Sequence, residues 1–225
     1  VCSSDLTALA KFQPNLSIRN SAVKKKALIL VSKESHCLLD FLYLKDLGEL
    51  QFEVAGVISN HNTLEPLTKS HGVDFYYFPV GVNNPDSKVE SEKNLRKLIA
   101  EKNVDFIVLA RYMQILSPAL CNDFAGRIIN IHHSFLPGFK GAKPYHQAHN
   151  RGVKLIGATA HFVTSDLDEG PIIDQDVDRV THSLRPEEFI AIGRDIEHRV
   201  LSRSVQNYAE DRVFIVGNRT IVFHK

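Results

Sequence analysis

Short apolar segments alternate with segments of helical length through the first half of this chain. Residues 27–31 read Ala-Leu-Ile-Leu-Val, and further apolar segments follow at 53–58, 75–78, 106–109 and 127–129. A strand that is apolar at every position is typical of a parallel sheet covered on both faces. Helical patterns occupy the intervals at about 38–47, 64–70 and 88–101. This alternation predicts βαβ units, and therefore an α/β fold with a doubly wound, mostly parallel sheet.

The second half of the chain has a different pattern. Two longer strand-like segments, 156–163 and 172–180, follow a loop rich in Gly and Pro, and we expect them to be antiparallel. Pro186 begins a helix that extends to about residue 207, and residues 212–223 predict a hairpin that turns at Gly217. The sheet should therefore end in antiparallel strands toward the C-terminus.

Composition excludes several classes of protein. The 225 residues include 27 Lys and Arg against 26 Asp and Glu, a formal net charge of +1, so we expect no nucleic-acid partner. No apolar stretch approaches the roughly 20 residues of a membrane helix, which argues against a membrane partner. Three scattered cysteines do not form a disulfide framework, so a cytoplasmic location is expected.

Three side chains have the chemistry needed to attack a carbonyl group. Asn130 follows the apolar segment 127–129, and ligands of open α/β sheets bind at the carboxyl ends of strands. Asn130 and His132 lie two positions apart, so in an extended segment both face the same side and could stabilise an oxyanion. Asp168, on a tight loop before Gly170 and Pro171, could hold the imidazole and orient water. We interpret this set as a site for acyl chemistry.

A metal centre is the alternative for the same region, because imidazole is the commonest zinc ligand. The candidate ligands are His132, His133, His146, His149 and His161. The chain contains neither a His-Glu-x-x-His motif nor a pair of neighbouring cysteines, and the histidine spacing fits no known ligand set. The favoured interpretation therefore has no metal.

Four motifs resemble those of the formyltransferase-fold enzymes that use formyltetrahydrofolate. They read INIHHSFLP at 129–137, PYHQA at 144–148, GATAHFV at 157–163 and LDEGPII at 167–173. Within this group the sequence is most similar to the formyltetrahydrofolate deformylase family, from about residue 26 to the C-terminus. The resemblance implies a Rossmann-like fold of the formyltransferase type and catalytic roles for Asn130, His132 and Asp168.

The resemblance also implies a substrate and its contacts. The substrate would be 10-formyltetrahydrofolate, hydrolysed to formate and tetrahydrofolate for one-carbon metabolism and purine biosynthesis, with no cofactor. His133 and His161 would support the catalytic residues. The substrate-binding residues would be Arg111, Met113, Gln114, Ile115 and Leu116 from one segment and Thr164, Ser165, Asp166 and Leu167 from another.

Family members also assemble as homo-oligomers and usually carry an N-terminal ACT domain. Residues 1–22 would accordingly be a linker or the tail of an absent ACT-like domain, and residues 23–225 the formyltransferase-fold catalytic domain.

The acceptor of the formyl group has to be decided separately. Glycinamide ribonucleotide formyltransferases, which this chain also resembles, hold their acceptor's phosphate with a glycine-rich loop after the first strand. Here that segment reads SKESHCL at 32–38, without glycine, and Glu34 would repel a phosphate. Water is therefore the expected acceptor. A phosphoribosylglycinamide-type formyltransferase and a non-catalytic folate-binding module remain alternatives, whereas a missing Gly-x-Gly-x-x-Gly argues against a nicotinamide enzyme.

Overall fold

A computed structural model of the chain describes residues 19–20, 22–81, 84–138 and 144–223. Most of the predicted linker at 1–22 lies outside these described residues. The strands of the described part are β1 Lys25–Val31, β2 Phe52–Ser59, β3 Phe75–Tyr77, β4 Phe106–Leu109, β5 Ile128–His132, β6 Leu155–Phe162, β7 Ile172–Arg179, β8 Val213–Val216 and β9 Arg219–Val222. The helices are α1 His36–Asp46, α2 Glu65–Ser70, α3 Pro85–Lys102, α4 Pro118–Asp123, α5 Pro144–Arg151 and α6 Pro186–Ala209.

Seven of these strands form one sheet in the order β3-β2-β1-β4-β5-β6-β7. The pairs from β3 to β5 are parallel, and β6 and β7 are antiparallel to their neighbours. The strand order reverses direction between β1 and β4, where ligands of open α/β sheets commonly bind. Strands β8 and β9 form a separate hairpin that turns at Gly217, whose φ of 61° lies in the left-handed region. The predicted fold class is confirmed.

Both faces of β1 are buried, as its continuous apolar sequence predicts. Ala27 and Ile29 belong to a core cluster that includes side chains of α1 and α6. Leu28 and Leu30 point the other way, because successive strand residues alternate, and join a cluster with side chains of α3 and α4. Helices therefore cover the two sides of the sheet. This packing places the carboxyl ends of β1, β4 and β5 at one open edge.

One local expectation needs correction, and one helix was not predicted. Asn130 does not follow a strand but lies inside β5, because its backbone pairs with Leu109 of β4 and with His161 of β6. The short helix α4 was not predicted; Ser117 caps it by accepting a hydrogen bond from the backbone N–H of Leu120, and Pro118 occupies its first turn. None of the described helices is long and apolar enough to cross a membrane.

Candidate active site

A cleft of about 250 Å³ opens where β4 and β5 end and where the chain passes from β6 to β7. The sheet brings together three segments here that are distant in sequence. All of the predicted catalytic, supporting and substrate-binding residues line this one cleft. They are Arg111, Met113, Gln114, Ile115, Leu116, Asn130, His132, His133, His161, Thr164, Ser165, Asp166, Leu167 and Asp168.

His132 and Asp168 form a buried pair at the inner end of the cleft. His132 ends β5, and its Nδ1 lies 3.3 Å from Oδ1 of Asp168, with 7% and 12% of the two side chains exposed. The hydrogen bond from His132 lowers the pKa of Asp168, outweighing the opposing effect of burial, so the carboxyl group is ionised near neutrality. Nε2 of His132 has no hydrogen-bond partner among the described residues. That nitrogen is therefore available to a ligand.

Asn130 is oriented by a second histidine on the neighbouring strand. Nδ1 of His161 donates to the carbonyl oxygen of Phe162 at 2.9 Å, which leaves Nε2 as the acceptor in the neutral ring. Nδ2 of Asn130 lies 3.2 Å from that Nε2 and donates to it. Burial lowers the pKa of His161, which favours this neutral state. The amide group of Asn130 therefore keeps a second N–H for the cleft.

The loop that carries Asp168 is shaped by a close backbone contact. Asp168 itself has a left-handed φ of 58°. At Gly170 an added Cβ would lie 1.8 Å from the carbonyl oxygen of Phe162, so no other residue fits without movement of the loop. The backbone N–H of Phe162 donates to the carbonyl oxygen of Pro171 at 2.9 Å. Gly170 thus allows the loop to lie against β6, within reach of His132.

The outer part of the cleft has an apolar rim. Met113, Ile115 and Leu167 are 56%, 62% and 61% exposed, whereas Leu116 is 8% exposed and packs in the core. Exposed apolar side chains around a cleft are typical of a ligand site. The backbone N–H of Met113 donates to Oγ of the buried Ser32 at 2.9 Å, which ties this segment to the end of β1.

His133 lies beside the buried pair, and its own pKa is lowered. Its ring centroid is 5.4 Å from that of His132 and 6.2 Å from that of Tyr145. Burial, followed by the positive charge of Arg111, lowers the pKa of His133 from 6.5 to about 4. His133 is therefore neutral at pH 7.

A buried carboxylate that the sequence analysis missed lies next to this cleft. Glu197 of α6 is fully buried and accepts hydrogen bonds from Nε2 of His36 at 2.8 Å and from the hydroxyl of Tyr145 at 2.6 Å. Its Oε2 is also 3.4 Å from Nε of Arg111. Burial alone would raise the pKa of Glu197, but the His36 hydrogen bond and the Arg111 charge hold it below its usual value.

The sequence contained a pattern that indicates burial of Glu197. Glu197 occupies the same helical face as Gly193, Ile196 and Val200, all of which are buried. A carboxylate on the apolar face of a helix is buried only when it has partners. Those partners come from three distant segments, so the sequence pattern indicates a buried network without identifying its members.

Metal-binding geometry is limited within the described part of the chain. Only His36, Cys37 and Glu197 bring three ligating atoms within 4.8 Å of one another. Glu197 already accepts two hydrogen bonds there, and burial raises the pKa of the Cys37 thiol, which disfavours the thiolate that a metal requires. None of the five histidines considered as an alternative metal site belongs to this group, and His149 contacts the carbonyl oxygen of Leu184.

Comparison with known proteins identifies the family. Residues 25–205 match the family model described as Formyl transferase. The chain is 49% identical over 213 residues to a formyltetrahydrofolate deformylase from Corynebacterium sp., covering 95% of this chain and 73% of the relative. The chain belongs to the formyltetrahydrofolate deformylase family, within the formyl transferases.

Solved structures of the same family share the fold of this chain. A formyltetrahydrofolate deformylase from Pseudomonas syringae pv. tomato superposes with a TM-score of 0.92 at 46% identity, covering 97% of this chain and 72% of that one. A glycinamide ribonucleotide transformylase from Symbiobacterium toebii superposes with a TM-score of 0.82 at 30% identity, covering 94% and 99%. The transferase shares the fold at lower similarity, and the deformylase family predicted from the motifs is confirmed.

Proposed function

We propose that this chain hydrolyses 10-formyltetrahydrofolate to formate and tetrahydrofolate through Asn130, His132 and Asp168. The observation that carries the proposal is the convergence of these three side chains in one cleft, with His132 and Asp168 in contact at 3.3 Å. An amide donor, an imidazole and a carboxylate supply the groups that hydrolysis of an N-formyl bond needs. Membership of the deformylase family supports the substrate.

The first step is attack by water on the formyl carbon. One oxygen of Asp168 accepts from His132, and the other can accept from a water molecule in the cleft. Because the pKa of Asp168 is lowered, its carboxylate is available to orient that water at neutral pH. The new C–O bond places negative charge on the former carbonyl oxygen.

The second step is collapse of the tetrahedral intermediate. The free N–H of Asn130 and the protonated Nε2 of His132 are the donors proposed for the oxyanion, and one such donor contributes about 2.7 to 4 kcal/mol. The C–N bond then breaks, the electron pair stays on the folate nitrogen, and that nitrogen receives a proton released from the attacking water through the side chains of the site. Formic acid and tetrahydrofolate result, and the acid releases its proton to solvent to give formate, so all atoms and protons balance.

The folate itself is proposed to occupy the outer cleft. Met113, Ile115 and Leu167 offer exposed apolar surface to a flat heterocycle, and Gln114 lies between two of them in sequence. The segment from Thr164 to Asp168 would cover the ring from the other side. Bound in this way, the folate would place its formyl group at the inner end of the cleft, where Asn130 and His132 lie.

Water is proposed as the acceptor, and no cofactor is proposed. Hydrolysis transfers no electrons between substrate and protein, so the reaction needs no redox group. The glycine-free segment after β1 supports water over a phosphorylated amine. In that segment His36 is engaged with Glu197, and the carboxylate of Glu34, 3.4 Å from Nη2 of Arg194, would repel a phosphate.

The test is formate release by the purified chain from 10-formyltetrahydrofolate, with and without glycinamide ribonucleotide. The proposal expects formate in both cases and no formylated ribonucleotide. The formyltransferase alternative expects formylated ribonucleotide, and the binding-module alternative expects ligand binding without product. Either of these two results would contradict the proposed hydrolysis.

Variants of the site complete this test. We expect Asp168→Asn and His132→Ala to lose activity, whereas His182→Ala, a matched change at an exposed histidine, should retain it. Each variant is first compared with the parent chain by circular dichroism. Undiminished formate release by both site variants would show that another group does the chemistry.

Three further expectations, two from the family and one from the scattered cysteines, remain predictions. We propose that residues 1–22 belong to a linker or the tail of an ACT-like domain, that the chain assembles as a homo-oligomer, and that it acts in the cytoplasm. Size-exclusion chromatography with light scattering would measure the assembly state, with a monomeric mass contradicting the second prediction.

A further inference from the structure

Arg111 has a backbone conformation that arginine rarely adopts. It lies just beyond the end of β4, and its φ is 64°, in the left-handed region. Side chains with a Cβ are disfavoured there, and such residues persist when the surrounding structure holds them. The side chain is 14% exposed, and its Nε and Nη1 atoms are buried without a hydrogen-bond partner among the described residues. An arginine kept in this state indicates a function.

The position of Arg111 suggests what that function is. Arg111, Met113 and His133 line the catalytic cleft and also a second cavity of about 600 Å³, so they form the boundary that the two cavities share. A water molecule occupies about 30 Å³ of liquid volume, so the second cavity can hold much larger nucleophiles. Arg111 therefore lies between the proposed reacting centre and space that an amine acceptor could occupy.

The network around Glu197 holds Arg111 at this boundary. Glu197 lies 3.4 Å from Nε of Arg111 and is itself held by His36 and Tyr145. The ring of Tyr145 crosses α6 at Gly193, where an added Cβ would lie 2.1 Å from the ring. The carboxylate therefore has little freedom to move, and the guanidinium group paired with it is restrained as well.

We propose that Arg111, held by Glu197, is a specificity-determining residue that keeps amines in the second cavity away from the formyl group. The guanidinium group fills the boundary sterically and also repels protonated amines, whereas water can enter. This inference rests on the proposed hydrolysis. Without the barrier, an amine nitrogen would attack the formyl carbon, the bond to the folate nitrogen would break, and the proton lost by the amine would pass to that nitrogen.

The experiment measures how the formyl group is partitioned between two acceptors. The chain is given formyl-labelled 10-formyltetrahydrofolate and glycinamide, and N-formylglycinamide and formate are quantified by NMR above the uncatalysed background. In the parent chain formate should greatly exceed N-formylglycinamide, and this product ratio is the reference. In Arg111→Gly, which suits the left-handed backbone, we expect the ratio of formylglycinamide to formate to rise at least about tenfold, equivalent to roughly 1.4 kcal/mol. The ratio does not depend on the total rate, which this change can also lower.

Two further variants make the result decisive. Glu197→Gln removes the charge that attracts Arg111 and should raise the ratio by a smaller factor. Asn103→Gly is the matched control: Asn103 is also left-handed, with φ of 54°, but is exposed at the end of α3, so the parent ratio should persist. Circular dichroism establishes that each variant is folded.

The outcomes separate this inference from the proposed function. A parental ratio in folded Arg111→Gly overturns the inference, and a parental ratio in Glu197→Gln does so if the glycine variant fails to fold. In both cases formate release by the parent chain leaves the hydrolysis standing. A parent chain that makes neither product would overturn the hydrolysis and the inference together.

Discussion

Replacing Asn130 with alanine should separate a catalytic effect from a structural one. If its free N–H stabilises the oxyanion, the loss of that donor should lower kcat by about 100- to 1000-fold, or about 2.7 to 4 kcal/mol. The substrate cleft is otherwise unchanged, so KM should change far less than kcat. The donor acts on charge that develops only in the transition state, which is why the effect falls on kcat.

The same substitution has a predictable effect on stability. Nε2 of His161, a residue only 2% exposed, would lose the hydrogen bond from Asn130. A buried acceptor left without a partner costs about 1 to 3 kcal/mol. For a chain of this size each 1 kcal/mol lowers Tm by about 2 to 4 °C. A decrease of at least about 2 °C is therefore expected beside the much larger loss of rate.

The assay combines initial-rate measurements of formate release with thermal unfolding followed by circular dichroism. Asn122→Ala is the matched control, because Asn122 is exposed on α4, and it should leave kcat as in the parent chain. A loss in kcat of less than about tenfold for Asn130→Ala, with the expected decrease in Tm, would show that Asn130 supports His161 without acting on the oxyanion.

Two other predictions concern pH and the loop of Asp168. His133 has its pKa lowered from 6.5 to about 4, so the unfolded chain binds its proton first and stability is lost as pH falls between those values. His133→Gln should remove up to about 3 kcal/mol of this loss, measured by urea unfolding at pH 7 and 4.5; identical pH dependence would contradict the burial argument. Gly170→Ala places a Cβ 1.8 Å from a carbonyl oxygen and must displace Asp168, and a shift of about 1 Å can lower kcat by about 100-fold. Gly217→Ala, in the exposed hairpin, should lower stability but not kcat; equal kcat losses in both variants would refute the positional effect.

The strands and helices could be predicted from the sequence because the patterns that indicate them extend over only a few neighbouring residues. The strand at 106–109 was predicted with the bounds that β4 has, and the antiparallel pair β6 and β7 was predicted within one residue at each end. Burial on both faces requires a continuous apolar run, and that requirement is visible in residues 27–31. Asn130 was misplaced because a polar side chain inside a strand interrupts the apolar pattern, although backbone pairing with β4 and β6 does not depend on side-chain polarity.

The candidate site could be predicted only in part from the sequence. The four motifs and the family resemblance together gave every residue proposed for the cleft, and the structure brings all of them to its lining. The orientation of these side chains could not be predicted from the sequence. The neutral state of His161, the direction of the Asn130 amide and the contact between His132 and Asp168 all depend on packing between strands. Roles in catalysis remain proposals that the variants above test.

Residue order and hydrophobic pattern determined that this chain forms a doubly wound sheet with an amide, an imidazole and a carboxylate near one edge. Tertiary structure decided which distant groups meet there. His36 and Glu197 lie 161 positions apart, yet they join at 2.8 Å and hold Arg111 at the boundary between two cavities. The physical reason is that hydrophobic periodicity acts over a few residues, whereas a buried charge is stabilised by whichever partners the packed elements bring to it.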